Sequence, residues 1–180
     1  MIGLLVLGLL AAVWFVARPA TNTTPPGPGS GSGAGMLHEM VRLRCEEFRA
    51  IVDREGSWPR LSIALVLGVI ARESGGDGMV RDGSAGEVGI MQVTEAAYLD
   101  YYRATNDADI PTFDDARSHE HNVRVGSWYL SNAIAEMGSE REGLRAYNAG
   151  VFGARNNPNL SADYADWVLS AARAFGPVIA

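Results

Sequence analysis

The chain has 180 residues, enough for one domain with a substantial core once a terminal segment and a linker are set aside. A formal net charge of −6 and the lack of any basic run argue against nucleic acid as a partner. Cys45 is the only cysteine in the sequence, so an internal disulfide is excluded, and its helical context predicts a small buried hydrophobe.

Residues 2–17 form an uncharged apolar run, which we interpret as a membrane anchor within an N-terminal segment of residues 1–18. A helix of this length spans about 24 Å against a hydrocarbon core of roughly 30 Å, so crossing requires a thinned bilayer or help from flanking residues. A cleaved signal peptide is the alternative. It is disfavoured for two reasons. No basic region precedes the run, and cleavage after Ala17 or Ala20 would place Phe15 or Arg18 where a signal peptidase site needs a small residue.

Residues 19–35 contain mostly Pro, Gly, Ser and Thr and show no hydrophobic periodicity, which predicts a linker. Residues 36–180 then form the globular domain. Its apolar spacing and capping residues predict a mainly helical fold with one irregular, glycine-rich lobe over residues 75–87 that could hold a small hairpin. The predicted helices cover residues 36–53, 62–73, 95–105, 120–137, 139–147 and 162–175, with Ser62, Thr94, Ser139 and Ser161 as N-caps.

One carboxylate stands at the last turn of the second of these helices. Counting back from Glu73 by three, four and seven residues gives Ile70, Val69 and Val66, which share its helical face. Desolvation by this apolar stripe and the negative end of the helix dipole both favour the protonated carboxyl, the form that a general acid requires. The alternative is a polar helix end followed by a glycine C-cap.

Five segments in order resemble one known family. Glu73-Ser74-Gly75 is followed by the segment AGEVGIMQ at residues 85–92, NVRVGSWYL at 122–130, AYNAG at 146–150 and YADWV at 164–168. They are similar to the E-S-G, A-G-x-x-G-[LI]-M-Q, N-[IL]-x-x-G-x-x-Y-L, A-Y-N-A-G and Y-x-x-x-V motifs of lytic transglycosylases with the soluble-type, goose-lysozyme-like catalytic domain. The resemblance covers residues 61–168, nearly the whole globular part.

The resemblance implies a lysozyme-like α+β fold and cleavage of peptidoglycan glycan strands between N-acetylmuramic acid and N-acetylglucosamine. It further implies a 1,6-anhydromuramic acid product, with Glu73 acting as acid and then as base. The family needs no cofactor or metal. The residues that would bind substrate under this resemblance are Ser74, Met91, Gln92, Tyr147, Asn148 and Tyr164.

Several readings of these residues stay open. Met91 and Tyr147 could be core residues, Asn148 a helix cap and Ser74 a polar helix end. Asp77 or Asp82, in the loop after Glu73, could position water and make the enzyme a hydrolytic muramidase, although turn residues are the simpler interpretation. A module that binds peptidoglycan without catalysis is the alternative to an enzyme.

Two other patterns receive a structural interpretation. His119 and His121 are spaced so that they point in different directions on a helix, which argues against a metal site. We interpret Trp58, Trp128 and Trp167 as core residues in preference to platforms on which sugars stack. A small domain on a membrane anchor suggests an enzyme that faces the cell wall from a membrane. If the N-terminal segment is cleaved, the enzyme is secreted instead. Such an enzyme could serve a phage or a secretion or conjugation complex.

Overall fold

The computed structural model describes residues 37–176. The predicted anchor in residues 1–18 and the linker in residues 19–35 lie outside this range. Within it, no helix combines the length and the apolar character needed to cross a bilayer.

The domain is mainly helical, as the sequence predicts. Seven α-helices occur between residues 37 and 176, together with two short 3-10 helices at Phe113–Arg117 and Arg173–Phe175. The α-helices are α1 (Glu39–Glu46), α2 (Arg49–Glu55), α3 (Ile63–Ser74), α4 (Glu95–Thr105), α5 (His119–Met137), α6 (Glu140–Asn156) and α7 (Ala162–Ala172).

The first predicted helix is divided in two. The backbone N–H groups of Glu47 and Phe48 bond to the carbonyls three residues earlier, Arg44 and Cys45. These tighter bonds interrupt the i to i−4 pattern and separate α1 from α2. Cys45 is fully buried, as expected, and burial raises the pKa of its thiol to about 12.

The fifth predicted helix, residues 139–147, continues beyond its predicted end and becomes α6, with an interruption at Gly150. Gly150 adopts φ 73° and ψ 152°, and helical geometry resumes as far as Asn156. The buried guanidinium of Arg145 donates to the carbonyls of Leu160 and Ala154 and so holds the segment that returns towards α7. Ser161 does not cap α7: its hydroxyl donates to Asn148 Oδ1 over 2.7 Å.

The glycine-rich lobe holds less β-structure than the sequence allowed. Between residues 37 and 176 the only β-pairing is one antiparallel bridge between Val88 and Val93, and no strand forms. Gly75, Gly76 and Gly86 all have positive φ, so the chain turns repeatedly before a ladder can grow. Residues 75–87 therefore form no hairpin, and the Val88–Val93 bridge lies directly after them.

The fold is centred on α3, whose residues from Ala64 to Ala71 are all buried. Ser62 caps it by accepting a hydrogen bond from the N–H of Leu65. α3 packs most extensively against α7, and α5 against α6. At the α3–α7 contact, a Cβ on Gly68 would lie 3.0 Å from the Val168 carbonyl oxygen and 3.2 Å from the Ala172 Cβ. Glycine therefore permits the close approach of these two helices.

Candidate active site

The carboxyl of Glu73 lies where the core meets the surface. Val66, Val69 and Ile70 on its helical face are completely buried, while Glu73 itself is half-buried. α3 ends one residue after Glu73, at Ser74. Gly75 terminates it by adopting the left-handed conformation with φ 63°, and its N–H donates to the Ala71 carbonyl. The apolar stripe expected from the sequence is thus present behind this carboxyl.

Tyr164 holds this carboxyl. Its hydroxyl donates a 2.7 Å hydrogen bond to Glu73 Oε1, and its ring is buried. The antiparallel contact at Gly68 and Val168 explains the pairing. Glu73 follows Gly68 by five residues on α3, and Tyr164 precedes Val168 by four residues on α7. These separations give similar rises along the two helix axes, so Glu73 and Tyr164 lie at the same level.

Asn122, on α5, organises the turn that carries Met91 and Gln92. It is completely buried: its Oδ1 accepts the Met91 N–H at 2.7 Å, and its Nδ2 donates to the carbonyls of Val88 at 2.9 Å and Ala116 at 2.8 Å. The sequence pattern placed Asn122 within a motif but gave it no role. Its partner Met91 is 31 positions away, so local spacing gave no sign of the contact.

Gly89 makes this arrangement possible. Its φ is 69°, and a Cβ there would lie 2.4 Å from Asn122 Nδ2. Both the backbone conformation and the space taken by the Asn122 amide therefore require glycine at this position.

Tyr147 holds the same turn from α6. Its hydroxyl donates to the Met91 carbonyl at 2.8 Å, and its ring packs edge-on against Tyr129, with the ring centroids 5.6 Å apart. Met91 is fully buried and packs against Gly126 of α5, which is the core alternative that the sequence left open. Gln92 has φ 49° and is 9% exposed, and its Nε2 donates to the Gly89 carbonyl at 2.9 Å.

Two further predicted residues are Ser74, the last residue of α3, and Asn148, which lies within α6 just before the interruption at Gly150. The hydroxyl of Ser74 donates to the Ile70 carbonyl at 3.0 Å, and Ser74 is half-buried. Asn148 is half-buried on α6, and its Oδ1 accepts from Ser161. The structure thus pairs Glu73 with Tyr164, Tyr147 with the turn at Met91, and Asn148 with Ser161.

The other carboxylates of the lobe have local partners. Asp82 forms a two-pronged ion pair with Arg117, with Oδ2 2.9 Å from Nη2, and this hydrogen bonding lowers the pKa of Asp82. Asp77 is exposed, and its Oδ1 accepts the Met79 N–H as in an Asx-turn. Glu87 is buried and accepts the Ala85 N–H.

The histidine and tryptophan patterns have structural roles. His119 Nε2 lies 3.0 Å from the Gly78 carbonyl, and His121 Nδ1 lies 3.0 Å from the Asp115 carbonyl. Within residues 37–176, no group of three His, Cys, Asp or Glu residues could hold a metal ion. The three tryptophans, Trp58, Trp128 and Trp167, are partly buried and pack against the core.

These elements define a mainly helical domain with a carboxyl site at the end of its central buried helix. A model of the transglycosylase SLT domain family matches residues 50–170, more than half of the chain, so the chain belongs to this family. The protein is accordingly a lytic transglycosylase, a lyase that acts on peptidoglycan. A separate comparison with curated proteins found no match.

Proposed function

We propose that the enzyme cleaves the β-1,4 bond between N-acetylmuramic acid and N-acetylglucosamine and leaves a 1,6-anhydromuramic acid end, with Glu73 as the catalytic residue. One observation carries this proposal. The Glu73 carboxyl emerges half-buried from a fully buried helical face and is held by the Tyr164 hydroxyl. A carboxyl fixed in a partly dry setting can act as a general acid.

The chemistry needs a single carboxyl. Glu73 protonates the glycosidic oxygen, and the bond to C1 of muramic acid breaks. The resulting carboxylate then takes the proton from the C6 hydroxyl of the same sugar as that oxygen attacks C1. The nucleophile belongs to the substrate, so no water is consumed and Glu73 ends protonated as it began. A glycosidase that uses water or a covalent intermediate needs a second carboxylate.

The carboxylates beside the site support this route over hydrolysis. Asp82 is engaged by Arg117, the Asp77 side chain closes an exposed turn, and Glu87 is buried against the backbone of its own loop. Each of the three therefore has a structural task that leaves it poorly suited to activate water. The hydrolytic muramidase is the second candidate, and a non-catalytic module that binds peptidoglycan is the third.

For substrate binding we propose Tyr164, which bonds to Glu73, together with Gln92, Ser74, Tyr147 and Asn148. The backbone of Met91 completes this set, because its carbonyl fixes Tyr147 while its side chain is buried. The Gln92 amide is suited to an acetamido group, since its nitrogen is already oriented by Gly89.

We further propose that residues 2–17 anchor the enzyme in a membrane and that the linker of residues 19–35 lets the domain reach the cell wall. The composition of both segments supports this proposal. Local opening of the wall for a phage or an envelope-spanning machine fits a small tethered enzyme.

Replacing Glu73 by Gln tests the assignment. We expect Glu73→Gln in the full-length protein to reduce the release of sugar from purified sacculi by about 10²–10⁴-fold, while sedimentation with sacculi persists. Glu47→Gln is the matched control, because Glu47 is an exposed glutamate in the short connection between α1 and α2. Unchanged release by Glu73→Gln would reject Glu73 as the acid. Binding without any release by the unaltered protein would favour the non-catalytic module.

A further inference from the structure

The residue before the catalytic carboxyl, Arg72, lies on the aromatic face of α7. Its Cζ is 5.8 Å from the centroid of the Tyr164 ring and 5.3 Å from that of the Trp167 ring. Tyr164 is also the residue whose hydroxyl bonds to Glu73. The guanidinium therefore lies beside the proposed cleavage point.

Arg72 differs from the other arginines in its surroundings. Most arginines between residues 37 and 176 form an ion pair with a carboxylate. Within that range, five arginines form no ion pair with a carboxylate. Four of them are exposed, and Arg72 is half-buried. The exposed ones are Arg44, Arg60, Arg81 and Arg173.

No carboxylate among residues 37–176 forms an ion pair with this half-buried cation, so it is suited to bind an anion from outside the protein. Partial burial removes hydration from the guanidinium, and cation–π contacts with two aromatic rings offset part of that cost. These contacts use no N–H donor, and the planar fork of a guanidinium matches both oxygens of a carboxylate.

The substrate supplies such a group. The two sugars of the glycan backbone are uncharged, and the carboxylates near muramic acid belong to its peptide stem or, where the stem has been removed, to its lactyl group. The protein carries a net charge of −6, so general electrostatic attraction to an anionic wall is unfavourable and a local cation becomes more important.

We propose that Arg72 binds a carboxylate carried on muramic acid and thereby selects glycan strands by the charge of that substituent. This proposal rests on the proposed function, because Glu73 defines the cleavage point beside which the carboxylate would lie. Arg72 acts on specificity and takes no part in the proton transfers.

The test compares three kinds of soluble, uncrosslinked glycan strand. One carries natural stems with free carboxylates, one has those carboxylates converted to amides, and one has been stripped of stems so that the lactyl carboxylate is free. The kcat and KM of full-length protein are measured on each for the unaltered chain, Arg72→Met, Arg72→Lys and Arg60→Met. Arg60 is the control, because it is exposed and precedes α3, whereas Arg72 lies in its last turn.

The unaltered protein should prefer a strand with a carboxylate over the amidated strand. Arg72→Met should reduce that preference about tenfold or more through KM, with kcat nearly unchanged, and Arg72→Lys should restore part of it. Preference for natural stems identifies the stem carboxylate, and preference for stripped strands identifies the lactyl carboxylate. Arg60→Met should keep the preference. An equal loss on all three strands, or a loss in kcat alone, would overturn the proposal.

A parallel arm separates this proposal from the proposed function. Binding of the three strands is measured without turnover, using Glu73→Gln and the double variant Glu73→Gln/Arg72→Met. If Glu73→Gln still cleaves, the proposed function fails, while the kinetic comparison of the unaltered chain with Arg72→Met on the three strands still decides the role of Arg72. If Glu73→Gln is inactive and the double variant binds all strands as the single variant does, the Arg72 proposal alone fails.

Discussion

The hydroxyl of Tyr164 donates a 2.7 Å hydrogen bond to Glu73 Oε1, although 91 positions separate the two residues in the sequence. The close packing of α3 and α7 at Gly68 sets the register of this pair. A glutamate side chain can rotate about three side-chain bonds, so a hydrogen bond to its carboxyl restricts its orientation. The Tyr164 hydroxyl fixes the position of Glu73 Oε1 in this way.

Removing this hydroxyl should impair catalysis more than folding. For Tyr164→Phe we expect kcat to fall about 10–100-fold, because the carboxyl loses a hydrogen bond that strengthens as Glu73 becomes a carboxylate during the reaction, while KM changes little. The ring stays in place, so the free energy of unfolding should fall by only about 1 kcal/mol. Steady-state kinetics on soluble strands and urea unfolding measure the two effects.

Tyr98→Phe is the matched control for this variant. The Tyr98 hydroxyl is also buried and donates to the Ile110 carbonyl at 3.2 Å, away from Glu73. It should lose comparable stability and retain activity. Equal activity losses in both variants would show that the Tyr164 hydroxyl has no special relation to the acid.

Asn122 should be among the most sensitive positions for stability. Asn122→Ala leaves the buried N–H of Met91 without this partner and removes one hydrogen bond from each of the carbonyls of Val88 and Ala116. We expect the free energy of unfolding to fall by about 2–4 kcal/mol in chemical denaturation. Asn132→Ala, whose exposed amide bonds only to the Trp128 carbonyl, should cost less than about 0.5 kcal/mol. Similar costs in the two variants would contradict the role of Asn122.

A cluster around Arg124 should give the domain an acid-sensitive contribution to stability. Burial alone would raise the pKa of both Glu55 and Asp107, but hydrogen bonds outweigh it and lower both values. Arg124 supplies bonds to each, at 2.8 Å to Glu55 and 3.0 Å to Asp107. A depressed carboxylate pKa stabilises the fold above the ordinary value, and this stabilisation is lost as the pH falls through the lowered one.

Arg124→Met tests that contribution. At neutral pH the variant should be less stable than the unaltered protein, because the two carboxylates lose their shared cation. The difference between the two proteins in free energy of unfolding should narrow as the pH falls below the ordinary carboxyl range, about 4, and through the lowered pKa values, where both carboxylates become protonated. A difference that stays constant over this range would exclude the cluster as its source.

Local sequence signals predicted much of the helical framework. Ser62, Thr94 and Ser139 cap the helices that they were expected to cap, since a cap depends on the three residues that follow it. Ser161 was not predicted correctly, because its hydroxyl turns to Asn148, 13 positions earlier. The break at Phe48 likewise lies inside an uninterrupted apolar pattern.

The site shows the same division between local and long-range information. Glu73 and its apolar stripe could be read from one helix, and the resemblance indicated Tyr164. The roles of Asn122, Gly68 and Arg72 depend on contacts between distant elements, which hydrophobic periodicity does not encode. The sequence allowed a small hairpin over residues 75–87, yet several backbone N–H groups there, such as those of Asp77, Val80 and Gly86, bond within turns.

The sugar ends released from purified sacculi test the central claim most directly. The full-length protein is incubated with sacculi in water that carries heavy oxygen, and the soluble products are analysed by mass. We predict muropeptides with 1,6-anhydro ends, lighter by one water than reducing ends and free of the heavy isotope, both for the unaltered protein and for Asp77→Asn/Asp82→Asn. Reducing ends that carry the heavy isotope would contradict the account, because they would show that water, and not the C6 hydroxyl, attacks C1.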